Sequence, residues 1–147
     1  AMPALFTIGY ERRSLSELIR ALQEAGVDAV IDIRLRNTSQ LAGYTKKDDL
    51  AFLLREGFGI AYEHHPELAP TDELLDDYRA SRDWEHYESA FRSALKKRHS
   101  DRVGREILGR YSRICLLCHE RLPVKCHRRL VAEWWVQRIG GLTVVHL

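Results

Sequence analysis

Apolar and polar positions along the chain fall into short blocks of two kinds, alternating strand-like runs with helical stripes. Leu5 to Ile8 is an apolar run ending at Gly9-Tyr10 and predicts a first strand. Ser14-Leu-Ser-Glu17 has the form of a capping box, in which serine and glutamate serve the free N–H groups of a helix start. Leu15, Leu18, Ile19 and Leu22 then share one helical face, and Gly26 closes the helix. Val27 to Ile33 is apolar on both alternating sets except at Asp28 and Asp32, the pattern of a central parallel strand. Strand, helix and strand in so short a span make a βαβ unit, expected to be right-handed.

The alternation continues past a polar interruption. Arg34 to Lys47 has no apolar period and reads as a long loop carrying Arg34, Arg36, Lys46 and Lys47. Loops of that length are often functional. Thr45 with Asp48 is expected to cap a helix bearing Leu50, Leu53 and Leu54 and closed by Gly57; Gly59 to Glu63 predicts a third strand running into His64-His65-Pro66. A short helix is expected over Thr71 to Ala80, preceded by Pro70. Asp83 is the expected N-cap of the next, whose stripe Trp84, Tyr87, Phe91, Ala94 and Leu95 reads as core. Lys96-Lys-Arg98 reads as a solvated helix end, favourable at the negative pole of the dipole.

Val103, Ile107, Leu108 and Tyr111 mark a further helix, and Arg113 to Leu117 a buried strand. A loop containing Pro123 follows, and from about Cys126 the pattern is helical, with Leu130, Val131, Trp134 and Trp135 inward. Gly140-Gly141 stops that helix before a final strand over Leu142 to Leu147. The order of elements predicts a single α/β domain over residues 1–147: a three-layer α/β/α sandwich with a mostly parallel sheet of about five strands. Ala1-Met2 reads as an addition before the natural start.

Composition narrows the class without naming a function. At 147 residues the chain can bury a full core, and its net charge of +2 gives no global pull toward nucleic acid or membranes. No apolar run approaches the ~20 residues of a membrane helix, and no secretory signal opens the chain. Three cysteines, an odd number, argue against a disulfide framework and for reduced thiols in the cytoplasm.

The chemistry gathers near the C-terminus. Ile114 to Leu130 holds all three cysteines, together with His119, Glu120, His127, Arg128 and Arg129. Cys115-Leu-Leu-Cys118 has zinc-knuckle spacing, but it lies in a strand-like run where residues three apart point to opposite faces. Zinc is therefore not expected in the purified protein, and no cofactor or metal is assigned. Cys126, at a helix start between Lys125 and His127-Arg128, is where a thiolate is stabilised and where anions bind. Parallel strands bring their C-terminal ends to one edge, so Tyr10, Asp32, Arg34, His64, Cys118 and Glu120 should collect beside Cys126, His127 and Arg128.

Thr7-Ile-Gly-Tyr10, Asp32-Ile-Arg34, the loop from Ser39 to Tyr44, Tyr62 with His64 and Glu67-Leu68, Leu117-Cys-His-Glu120 and Cys126-His-Arg128 occur in an order that resembles the bacterial and archaeal domain-of-unknown-function family number 488. The resemblance runs from about Phe6 to Trp135 and implies a compact α/β domain, with no established reaction. Many members follow the aspartate–arginine pair with proline, serine and arginine; here Asn37-Thr-Ser-Gln40 stands instead, and Arg36 is the substitute cation.

Three readings of this edge follow. The leading one is a small cytoplasmic enzyme acting on a phosphate-bearing substrate, a nucleotide or nucleic-acid end. Cys126, His127, Glu120, Cys118 and Asp32 would be its catalytic set, and Tyr10, Arg34, Arg36, Tyr44, His64 and Arg128 its substrate-binding set. The second is a non-catalytic module that binds nucleic acid or a protein through the same edge. The third is a metal site using Cys118, Cys126 and His127, with His64 as an optional fourth ligand.

Overall fold

The computed structural model of the protein describes residues 4–36 and 40–147. Ala1-Met2 and the loop residues Asn37, Thr38 and Ser39 lie outside the described residues. Among those described, five strands form one sheet: β1 (Ala4–Gly9), β2 (Ala29–Asp32), β3 (Ala61–His64), β4 (Arg113–Cys118) and β5 (Thr143–His146). Their order across the sheet is β3-β2-β4-β1-β5, and every pairing is parallel.

The helices take both faces. α1 (Leu15–Glu24) and α2 (Lys47–Phe52, extended through Gly57 by a wider turn) cover one side. Their Leu18, Leu22, Leu50 and Leu54 pack on Phe6, Ile8, Val30 and Cys115. α3 (Asp72–Ser81), α4 (Trp84–Lys97), α5 (Ser100–Arg110) and α6 (His127–Ile139) lie on the other. There Phe91, Leu95, Ile107, Leu130, Val131 and Trp135 meet Leu5, Ile31, Ile114 and Leu116. Consecutive residues of β4 thus feed opposite cores, which is why the strand reads as an unbroken apolar run. No described helix is long and apolar enough to cross a membrane.

Most helix starts are where side-chain capping predicts them. Ser14, Thr71 and Asp83 each accept a backbone N–H from three residues on. Thr45 does not cap α2. Lys46 holds that position without a side-chain cap, and Thr45 is buried, its carbonyl accepting from Arg34 at 2.7 Å. A long-range cation has taken over a residue that looks like a local cap.

The connections explain where a ligand would go. After β1 the chain passes through α1 to the left half of the sheet. After the neighbouring β4 it passes through α6, on the opposite face, to the right. Adjacent strands whose following connections part in this way leave a crevice at their C-terminal ends, the usual ligand position in open α/β sheets.

Candidate functional site

The register fixes which residues meet at that crevice. Gly9 pairs with Cys118, Asp32 with Leu117 and Asp32 with His64, so the ends of β1, β2, β3 and β4 finish level. The loop from β4 to α6 folds back over β1: Tyr10 and Glu11 donate to the carbonyls of Cys118 and His119 at 3.2 and 2.9 Å. A turn from Pro123, whose carbonyl accepts from the Cys126 N–H, delivers Cys126 to the N-cap of α6.

Cys118 and Cys126 are thereby brought together. Their sulfurs are 3.1 Å apart and share a hydrogen bond, with 4% and 3% of the residues exposed. His127 stands beside them, its Nδ1 3.6 Å from Cys118 Sγ and its Nε2 2.8 Å from the Ile33 carbonyl. A carbonyl can only accept, so Nε2 carries a proton, and Nδ1 is the ring nitrogen nearer Cys118. The bond from Cys118 holds the Cys126 thiol well below the ordinary thiol range against its burial, with His127 and then Arg128 adding to the effect. The Cys118 thiol is pushed well above that range by the same bond and by burial. Cys115 faces the α1–α2 core, and complete burial raises its thiol too.

The pair lies at the floor of a cleft of about 710 Å³. Tyr10, Tyr78, Trp84 and Tyr87 supply an aromatic wall, and Arg36, Arg79, Arg82 and Lys125 reach its rim. Trp84 and Tyr87 stack at 5.0 Å between centroids. The α4 stripe is therefore core at Phe91 and Leu95 but cleft wall at its first turn, a wall that the stripe's period could not reveal. Arg82 ends α3 in the left-handed conformation at φ 59°, a place where glycine is the easier residue.

Several expected site residues hold the cleft up instead of facing it. Asp32 is fully buried and receives Arg34 through both oxygens, at 2.9 and 2.7 Å, and the Tyr62 hydroxyl at 2.5 Å. Burial alone would raise its pKa; the Arg34 bonds and charge, with Tyr62, overcome this and hold it below the usual carboxylate range. Arg34 lies under the Tyr10 ring, 5.1 Å from its centroid, at the cleft margin. His64 braces the same turn through the Arg34 carbonyl at 2.8 Å.

Arg128 corrects the expectation of a second anion-binding arginine at the helix start. It is fully buried and donates to Thr7 Oγ1 and to the carbonyls of Glu120 and Arg121. Its work is to pin the β4–α6 loop. Tyr44 is likewise turned away, its hydroxyl donating to the Arg13 carbonyl at 2.8 Å. Arg36 does reach the rim but is held there by both oxygens of Asp72 at 2.7 Å. Glu120 lines the cleft with an exposed carboxylate, 3.5 Å from His119.

Cys118, Cys126 and His127 also place their donor atoms within 4.8 Å of one another, close enough to share one cation. His64 is not in that set, so Cys118, Cys126 and His127 meet without the optional fourth residue. Glu11, His119 and Glu120 form a second, more exposed group of the same reach.

A family model described as "Domain of unknown function DUF488" matches residues 14–135. No curated protein matches the chain, and no solved structure does.

Proposed function

The chain belongs to the DUF488 family, whose description assigns no reaction, and from the cleft itself we propose that it is a thiol enzyme in which Cys126 is the nucleophile. The observation that carries this is the pair of sulfurs 3.1 Å apart at the floor of the cleft, at the N-terminus of a 13-residue helix. A second thiol hydrogen-bonded to the first, together with the positive end of α6, favours a thiolate where a substrate would reach it. His127 Nδ1 is the group placed to take the proton of Cys118. Asp32 and Arg34, which the sequence offered as a catalytic residue and an anion ligand, position Tyr10 and the strand ends.

The rim defines the substrate class. Arg79, Arg82 and Lys125, with the aromatic wall, suit a phosphate-bearing substrate with a flat group, a nucleotide or nucleic-acid end. Arg82 supports this in particular, because it keeps a charge at a left-handed position that costs on the order of 1 kcal/mol for a residue other than glycine.

Iodoacetamide near neutral pH, followed by peptide mass spectrometry, tests the reading. Cys126 should be labelled first, with Cys115 inert until the protein is denatured. Inorganic phosphate or adenosine monophosphate should slow the labelling. Arg82→Gly should weaken that protection about fivefold, as expected for the loss of a ~1 kcal/mol contact, without lowering the melting temperature. Labelling of Cys126 only in denaturant would remove the nucleophile.

A further inference from the structure

We infer that Cys118 is a resolving thiol, and that the electrophile this cleft accepts is a sulfur atom: an anionic disulfide that the Cys118–Cys126 pair reduces. The inference rests on Cys126 being the nucleophile and adds the reaction class. A thiol enzyme that transfers acyl or phosphoryl groups hands its intermediate to water or to a second substrate. For that chemistry a second thiol at 3.1 Å would only compete for the intermediate. In disulfide exchange the same neighbour is required, because the mixed disulfide must be attacked by another sulfur close at hand.

The geometry supplies each step. The Cys126 thiolate attacks one sulfur of the substrate; the Cys126–substrate disulfide forms, the substrate's own S–S bond breaks, and the first half leaves as a thiolate. Cys118 then passes its proton to His127 Nδ1, 3.6 Å away, and attacks Cys126 Sγ. The Cys118–Cys126 bond forms, the mixed disulfide breaks, and the second half leaves with the proton from His127. Two protein thiols are oxidised by two electrons, and one substrate disulfide is reduced to two thiols. An external dithiol is needed to restore the pair. The Nε2–H bond to the Ile33 carbonyl keeps Nδ1 aimed at Cys118 throughout.

The cleft adds selectivity. Arg79, Arg82 and Lys125 at the rim, with Tyr78, Trp84 and Tyr87 in the wall, match a disulfide that carries negative charge and a flat group. Cys115 takes no part, because it faces the opposite core.

Dithiobis(nitrobenzoate), a doubly anionic aromatic disulfide, is the test probe, and the coloured thiolate it releases is the readout. The folded wild-type chain should release two thionitrobenzoate ions, retain none, and yield a Cys118–Cys126 cross-linked peptide under non-reducing digestion. Cys118→Ser should release one ion and hold the other half on Cys126. Raising the salt should slow this probe roughly tenfold while leaving the neutral dithiodipyridine unaffected. A wild-type chain that keeps a stable adduct on Cys126, or a cross-link that involves Cys115, overturns the inference. If that adduct forms while iodoacetamide still labels Cys126 first, the nucleophile stands and only the sulfur chemistry falls. If neither reagent reaches Cys126 in the folded chain, both fall.

Discussion

Asp32→Asn should destabilise the protein by about 3–5 kcal/mol, the cost of breaking a buried ion pair from one side. The substitution keeps the shape of the side chain and removes its charge. Arg34, 6% exposed, is then left in the interior with a cation and no carboxylate on its Nε and Nη2. The Tyr62 hydroxyl also loses a charged acceptor. Tyr62→Phe removes only that last bond and should cost about 1 kcal/mol, so the difference between the variants isolates the ion pair. Denaturant unfolding with unchanged slope measures both.

The dependence on pH has a definite sign. Asp32 has a folded pKa below its unfolded value of ~3.9. Its contribution is therefore present above the unfolded value and is lost as pH falls through the folded one. Glu63 follows the same sign, held down to about 2 first by its hydrogen bonds to Arg110, although it is partly exposed and screened. Wild-type stability should fall between about pH 4 and pH 2, and Asp32→Asn should flatten that fall. An Asp32→Asn chain as stable as wild type, with the same acid limb, would show that this pair does not hold the strand ends.

Gly9→Ala should cost on the order of 3 kcal/mol, the upper part of the range for overpacking, and should also separate the two thiols. The reason is space and not backbone conformation. A Cβ on Gly9 would lie 1.6 Å from the Glu120 carbonyl oxygen and 2.4 Å from its carbon. Both obstacles are backbone, so no side chain can rotate out of the way. The loop they belong to runs from Cys118 to Cys126 and is fixed from behind by Arg128. Moving it off β1 pulls on both ends of the dithiol, so alkylation of Cys126 should slow together with the loss of stability. A Gly9→Ala protein with wild-type melting and wild-type labelling would mean that the loop is free to shift, and that its approach to β1 does not set the site.

These two positions also mark how far the chain can be read without coordinates. The parallel sheet was legible because β2 and β4 feed both cores and so lack alternation. Cys126 as a helix start was legible from the polar loop with Pro123 and the stripe that follows. Arg128 was not, because its partners are Thr7 Oγ1 and two backbone carbonyls, and a carbonyl leaves no mark on a sequence. Thr45 misled for the same reason, since its role is set by Arg34 eleven residues earlier. The largest omission was the wall from Tyr78 to Tyr87. Helical period tells which face of α4 is apolar; it does not tell that the helix overhangs the sheet edge, where its first turn becomes the side of a cleft. The signal present was the density of Tyr78, Arg79, Arg82 and Trp84 around one helix junction, a mixture that a buried stripe does not need.

The central claim is that Cys126 is a thiolate nucleophile activated by its neighbour, and the rate of its alkylation as a function of pH tests this most directly. Labelling of the folded chain with iodoacetamide, quantified on the Cys126 peptide, should rise to half its plateau at a pH below the ~8.5 of a free thiol. In Cys118→Ala, which removes the hydrogen bond that most favours the thiolate, the midpoint should move upward. A wild-type midpoint at or above ~8.5, or a midpoint that Cys118→Ala leaves in place, would contradict the account.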